Sequence, residues 1–386
     1  MDDGSTRREW LKSGLALAGL GALGEPGWAL PALGQGETLV PFTDLPDPFP
    51  APTADRRTLD IRTIDGPLTP KDRFFTTQHF GHPVVAPATF RLKVAGLVER
   101  PGSFSLDDLR TLGETELVAG FECSGNRRPL QGSVGNGRWT GVPLRAVFDK
   151  VGVKPEAREF IFFGADGGEE DVEFRTSKFK VEQQFGRSLP RRNAMSPAPF
   201  LAYAMNGEPL TRHQGSPLRL IVPGWYGVAN VKWLADIYVQ EEQYLGRFQA
   251  RWYRTLRGEM IDGEVKWKET AVTHMQLKSF IARVTRQGTA CKVLGVALND
   301  GTALKSVEVK VDDGPWQPAE FDPSTKEKFS WKLFRYAWTS PAPGEHTLVS
   351  RVTDVNGTVQ PTAEELANKK TFLEDNSQYP RKVVIA

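Results

Sequence analysis

The chain holds 386 residues, with 49 Lys and Arg against 47 Asp and Glu and a formal net charge of +2. That length exceeds one ordinary core and suits two, and near-neutral charge removes the bulk electrostatic case for nucleic acid or a membrane surface as partner. A hydrophobic content of 39% and a charged content of 25% fit a soluble globular protein, and two cysteines, Cys123 and Cys291, are too few for a disulfide framework.

In chain order, the first segment reads as a targeting sequence. Thr6-Arg7-Arg8-Glu9-Trp10-Leu11-Lys12 resembles the twin-arginine export signature. The weakly apolar run over 15–23 is too short and too Gly-rich to cross a bilayer, which takes about 20 apolar residues. Residues 1–30 are therefore expected to be an export signal, with a periplasmic or other extracytoplasmic destination and no membrane span. Residues 31–56 are rich in Pro, which predicts an extended path over the domain surface.

Over 60–245 short strands and short helices alternate. Residues 90–94 alternate like a half-buried strand. Ser105 is placed to cap a short helix. Residues 116–123 read as a buried strand ending in a turn at Cys123-Ser124-Gly125-Asn126, since Gly and Asn tolerate positive φ. Pro143 opens a helix running to 151 from within its first turn. Residues 160–163 form a short apolar strand, with a loop expected over 164–168; 218–222 and 231–238 are strand-like. No regular βαβ period appears, so the class expected is α+β, and no Gly-rich dinucleotide fingerprint follows a strand.

Beyond about 262 the pattern is purely β. Residues 306–311 alternate and are closed by Asp312-Asp313-Gly314-Pro315; 346–353 repeat the pattern before Asn356-Gly357. This predicts an immunoglobulin-like β-sandwich over 261–386, with Trp316, Trp331 and Trp338 packing its core.

The chemistry centres on Glu122-Cys123-Ser124-Gly125-Asn126-Arg127-Arg128. A thiolate is the metal-binding form of cysteine, and two nearby arginines are expected to favour it. Four other strings accompany it: Phe74-Phe75-Thr76-Thr77-Gln78-His79, Leu201-Ala202-Tyr203-Ala204-Met205-Asn206-Gly207-Glu208-Pro209-Leu210, His213-Gln214-Gly215-Ser216-Pro217-Leu218-Arg219 and Val231-Lys232-Trp233-Leu234. Together they resemble, in order, signatures of the sulfite oxidase family of molybdopterin enzymes, over roughly residues 60–255.

The resemblance implies a molybdopterin domain over 31–260 and a dimerisation role for 261–386. It implies a molybdenum-molybdopterin cofactor whose metal is bound by Cys123. Phe75, His79, Arg128, Asp166, His213, Arg219, Gly227, Ala229, Asn230 and Lys232 would hold the cofactor, with 227–230 presenting backbone N–H groups to its phosphate. Arg128 and Tyr253, the latter 21 residues after Lys232, would act in catalysis beside Cys123. The implied reaction is sulfite to sulfate by oxygen-atom transfer. The chain has no Cys-x-x-Cys-His, so electrons would leave to a separate acceptor such as a c-type cytochrome. Export of an already folded protein suits a chain that must first receive a cofactor.

Two departures bear on the substrate. One residue is inserted after His213, and Thr77 stands where the family has an arginine able to bind an anion bidentately. Arg128, Arg251 or Arg254 would have to supply that charge. Two alternatives stay open: the same cofactor acting on another oxo substrate such as a sulfoxide, and a cofactor-free binding protein.

Overall fold

A computed structural model describes residues 33–34, 36–126 and 128–386. The export segment, residues 1–30, lies outside the described residues. Strands dominate, and the longest helix among the described residues, Leu144–Val151, has eight residues. The coarse expectation of a mixed fold with short helices therefore holds, weighted toward strand. No helix among the described residues is long and apolar enough to cross a membrane.

Local chemistry sets the helix ends. Ser105 Oγ accepts from the Asp108 amide at 3.1 Å while the Asp108 carboxylate accepts from the Ser105 amide at 2.8 Å. This reciprocal pair satisfies two donors that the first turn of Leu106–Arg110 would leave unpaired. Pro143 stands just before the helix Leu144–Val151, outside its first turn. Leu144, Val147, Phe148 and Val151 are buried, the i, i+3, i+4, i+7 stripe of an amphipathic helix.

Two five-stranded sheets build the first part of the chain. One runs Gly102–Phe104, Leu92–Gly96, Leu234–Gln240, Glu159–Phe174, Ser177–Pro190; its Leu92–Gly96 and Leu234–Gln240 pair is parallel. The other runs Arg219–Ile221, Phe200–Met205, Val134–Pro143, Thr115–Glu122, with Glu208–Pro209 beside Phe200–Met205. A buried cluster including Leu92, Phe148, Phe160, Leu201, Leu220 and Leu234 lies between them. The expected loop at 164–168 is instead part of a long strand. The register shifts between Phe163 and Gly167, and the strand then pairs onward to Phe174 with Ser177–Pro190. Cross-strand hydrogen bonds through this bulge outweigh the turn tendency of its glycines.

The C-terminal part forms an eight-stranded sheet in the order Thr38–Val40, Lys278–Gln287, Ala290–Leu298, Lys332–Trp338, Gln317–Phe321, Leu304–Val311, Gly344–Asp354, Arg381–Ile385. Its first strand comes from the Pro-rich N-terminal stretch. Val40 pairs with Val284, and Phe42 bridges Val383 on the strand at the other end of the sheet. Val40, Phe42 and Leu45 are core residues. The stretch follows the expected exposed, extended path over 46–56, and Val40, Phe42 and Leu45 anchor it, because these apolar side chains gain more by burial than by lying in water.

Trp331 and Trp338 pack that core as expected. Trp316 does not. It is half-buried, and the Arg351 guanidinium lies 4.2 Å from its ring centroid, so a cation–π contact replaces core packing. Between the N-terminal sheets and the C-terminal one, Arg254–Ile261 and Glu264–Ala271 form a separate hairpin. Sequence reading did not anticipate it, and residue 260 lies within its first strand.

Candidate active site

A cavity is lined by Phe75, His79, Cys123, Asp166, Arg219, Gly227, Asn230, Lys232 and Tyr253. Nine residues expected at the site from sequence therefore line one cavity. They come from the segment 74–79, the end of the strand Thr115–Glu122, the bulged strand Glu159–Phe174, the strand Arg219–Ile221 and the loops after it, and the turn before Arg254–Ile261.

The loop carrying Cys123 is closed by its own hydrogen bonds. The Cys123 amide donates to Ser133 O at 2.9 Å and the Asn126 amide to Cys123 O at 2.8 Å. The Asn126 side chain spans the loop: Nδ2 donates to Glu122 Oε2 at 2.9 Å and to Gln131 O at 3.0 Å, and Oδ1 accepts from the Ser133 amide at 2.9 Å. Neither Gly125 nor Asn126 adopts positive φ; that conformation falls at Gln131, with φ 51°. Asn126 serves this loop through its amide and not through its backbone.

Burial raises the Cys123 thiol above its ordinary range and outweighs the nearby cations. The Gly125 backbone, Arg56 and Lys278 favour the thiolate, and Glu122 opposes it. Arg128 gives no help, because its Nε lies 3.4 Å from Asp375 Oδ2 and its guanidinium stands over Tyr379.

The opposite wall is cationic and poorly solvated. Lys232 Nζ donates to Thr76 Oγ1 at 3.1 Å, Thr77 O at 3.2 Å and Gln78 Oε1 at 3.3 Å, and lies 4.4 Å from the Trp233 ring centroid. Desolvation, reinforced by Arg219, lowers Lys232 to about 7. Gly215 stands against it with φ +98°, and a Cβ there would meet Lys232 Cβ at 2.7 Å. A side chain at 215 would displace the lysine. Desolvation raises Asp166 to about 6, and its Oδ1 is buried without a partner. Arg219 donates to Gln214 O at 3.0 Å and Asn230 O at 3.1 Å, while its buried Nε is unpaired.

His79 and Tyr253 form a pair, with His79 Nε2 2.8 Å from the Tyr253 hydroxyl. Desolvation and the charges of Arg247 and Lys232 lower His79 to about 4, so it is neutral near pH 7. Burial raises the Tyr253 phenol, which keeps it protonated. Arg187, 1% exposed, supports this corner: its guanidinium donates to Phe248 O and, at 2.6 Å, to Val272 O. The Val272 amide in turn donates to Tyr253 O at 2.9 Å. Nothing in its strand pattern distinguishes Arg187 from a surface arginine, so sequence reading missed it. It also missed Thr76 and Gln78 as partners of Lys232, although both lie within a matching string.

Three expected residues stand apart from the cavity wall. Arg128 turns to the C-terminal segment, as described above. His213 Nδ1 lies 3.2 Å from His82 Nε2, and His213 is not among the residues lining the cavity. Ala229 is buried in the turn Gly227–Ala229. The expected N–H nest is reduced there, since the Ala229 and Asn230 amides donate to Tyr226 O and Gly227 O within the turn.

A molybdopterin needs a thiolate ligand for its metal and polar partners for its pterin and phosphate. The cavity offers Cys123 and, among its buried atoms, an unpaired carboxylate oxygen on Asp166 and an unpaired guanidinium N–H on Arg219. Buried polar atoms without partners are rare in folded proteins, so a polar group fits here. The donor set and cavity thus define a molybdopterin-binding oxidoreductase domain, and residues 79–248 match the family described as oxidoreductase molybdopterin binding domain.

The particular family follows from whole-chain comparison. Chicken (Gallus gallus) sulfite oxidase is 30% identical over 322 residues, covering 76% of this chain and 68% of that one. Human mitochondrial sulfite oxidase is 30% identical over 326 residues, and the chain spans 57% of its length. The crystal structure of the sulfane dehydrogenase SoxCD from Paracoccus pantotrophus superimposes with a TM-score of 0.73 at 26% identity, covering 90% of this chain and 91% of that one. This chain belongs to the sulfite oxidase family and binds a molybdopterin cofactor.

The raised Asp166 carboxyl makes the cofactor-free fold pH-sensitive. The folded chain holds this proton more tightly than the unfolded chain, so the stability it contributes is present below about pH 4 and lost as pH rises through about 6. Asp166→Asn is expected to remove that slope and to stabilise the cofactor-free protein at pH 7 by about 2–3 kcal/mol. Denaturant unfolding of both proteins between pH 4 and 7 checks this; equal slopes would exclude a proton held at Asp166.

Proposed function

We propose that this chain is a molybdenum-dependent sulfite dehydrogenase, oxidising sulfite to sulfate and passing electrons to a separate acceptor such as a c-type cytochrome. The observation that carries it is the meeting of Cys123 and the His79–Tyr253 pair in one cavity. The bound cofactor would supply two-electron oxygen-atom transfer. Cys123 would hold the metal; Asp166, Arg219 and Lys232 would meet the polar pterin and phosphate. Neutral His79 shares a hydrogen bond with the Tyr253 phenol, whose proton burial retains beside the site of reaction.

A second reading keeps the cofactor and changes the substrate to a less charged sulfur or oxo compound, such as a sulfane or a sulfoxide. Thr77 and the fate of the arginines favour it. Arg128 pairs with Asp375 at 3.4 Å, Arg251 with Glu170 at 3.4 Å and Arg254 with Glu269 at 3.0 Å. Each of the three candidates for the missing charge already faces a carboxylate.

The remaining organisation belongs to the same proposal. Residues 31–260 would be the molybdopterin domain and 261–386 an immunoglobulin-like sandwich that forms a homodimer. The closure of the eight-stranded sheet and the contact of Ser279 Oγ with Ser350 Oγ at 3.0 Å support the sandwich. The twin-arginine segment supports export to the periplasm.

Protein from a molybdenum-competent host should contain molybdenum and pterin, and should reduce a c-type cytochrome with sulfite. Cys123→Ser, a harder and poorer ligand, is expected to fold and to lose turnover; near-wild-type activity in a molybdenum-loaded variant would sink the assignment. Assays with sulfite, a sulfane and a sulfoxide separate the two substrate readings.

Thr77→Arg supplies the missing guanidinium at a position on the cavity wall. It is expected to lower KM for sulfite about ten- to a hundredfold, the worth of one charge-assisted hydrogen bond, with molybdenum content unchanged. An unchanged KM for sulfite would remove position 77 from the substrate contacts.

Changing Arg7 and Arg8 together to Lys is expected to leave the protein in the cytoplasm. Fractionation showing normal periplasmic amounts would rule out the export signal.

A further inference from the structure

Glu122 and Lys278 form an ion pair of 2.9 Å with both side chains only 2% exposed. Asn126 completes a triangle: its Nδ2 donates to Glu122 Oε2 at 2.9 Å, and its carbonyl accepts from Lys278 Nζ at 3.2 Å. Two corners of this triangle flank Cys123, one residue before and three after. The third stands on the strand Lys278–Gln287 of the eight-stranded sheet. The loop that presents the thiol is thus tied to the C-terminal sheet by charge.

Apolar side chains could tie these elements as firmly, since a buried ion pair often gains little over well-packed hydrophobic residues of the same volume. What such residues could not supply is a field. A fixed carboxylate and a fixed ammonium beside a metal-binding cysteine act on the metal with opposite sign, and in a poorly solvated interior they are weakly screened.

We propose that Glu122 and Lys278 are positioning residues that hold the Cys123 loop and offset each other's field on the metal bound there, so that neither charge alone displaces its reduction potential. The inference rests on the molybdopterin reading of the cavity. The carboxylate disfavours the reduced, more negative metal and lowers its potential; the ammonium raises it. As a pair they nearly cancel, so the loop gains its tie without a large net charge beside the metal.

The test is a potentiometric titration of the molybdenum(VI/V) couple, followed by paramagnetic resonance, in molybdenum-loaded wild type, Glu122→Gln, Lys278→Met and the double variant. Glu122→Gln keeps an amide oxygen for the hydrogen bonds of Asn126 and Lys278 while removing the charge. Its potential is expected to shift upward, that of Lys278→Met downward, and that of the double variant to return close to wild type. Molybdenum content per folded chain is the second measurement. A single variant that folds but loads poorly should regain loading in the double variant. Loaded single variants with the wild-type potential, or with shifts of the same sign, would overturn the proposal. So would a folded double variant that fails to load. Wild-type protein containing no molybdenum would instead overturn the cofactor reading, and this proposal with it.

Discussion

A metal-binding thiol has to be held at a cavity rim by a backbone that does not move when the metal arrives, and Asn126 is the residue on which that constraint falls. Its side-chain amide makes three hydrogen bonds inside one loop, to Glu122, Gln131 and Ser133. These satisfy an amide that is only 3% exposed, and a buried polar group left unpaired would cost about 1–3 kcal/mol. The loop therefore cannot open locally without breaking several bonds together. The same rigidity reaches outward: Glu374 donates its amide to Ser124 O at 2.7 Å, and Gly120, on the strand leading to Cys123, donates to Phe329 O at 2.9 Å. The C-terminal part of the chain is in this sense part of the site, although among the described residues it contributes no side chain to the cavity wall.

The elements legible in the sequence were those fixed by local chemistry. Ser105 capped a helix, a Pro marked a helix start, and residues 306–311 alternated as a strand, because caps and two-residue periodicity act over a few neighbours. The cavity residues Cys123, Lys232 and Tyr253 were legible through the family strings and not through their own surroundings. What failed was long-range. Residues 164–168 looked like a loop until the strand Ser177–Pro190 paired with them across the bulge. The N-terminal Pro-rich stretch runs over the surface at 46–56 as expected, but its anchor was hidden: Phe42 meets Val383, 341 positions on in the numbering. Neither partner is visible from the segment itself.

The same reason explains the arginines. From sequence, Arg128, Arg251 and Arg254 were interchangeable candidates for a substrate charge, since each lay near a motif. Their actual partners are Asp375, Glu170 and Glu269, of which the first two are distant in the chain. Glu170 is itself buried and also engages Arg247 at 3.0 Å, so one carboxylate satisfies two cations beside the cavity. An arginine already facing such an acceptor must give up that interaction to bind an anionic substrate. Its net contribution is then smaller than that of a free guanidinium.

The cationic character that remains in the cavity is therefore concentrated on Lys232 and Arg219. Both are desolvated, with Lys232 lowered to about 7 and Arg219 to about 9. Such groups gain most from a permanent anion, since an adjacent negative charge raises the ammonium pKa again and offsets the cost of burial. A phosphate-bearing cofactor meets that need continuously, and a turning-over substrate meets it only for part of each cycle. The charge distribution thus separates two tasks: the wall of Lys232 and Arg219 suits a resident anion, and the corner of His79, Tyr253 and Thr77, neutral side chains at pH 7, suits the group that comes and goes. On the proposed function, discrimination among substrates in that corner would then rest on hydrogen bonding and shape more than on charge.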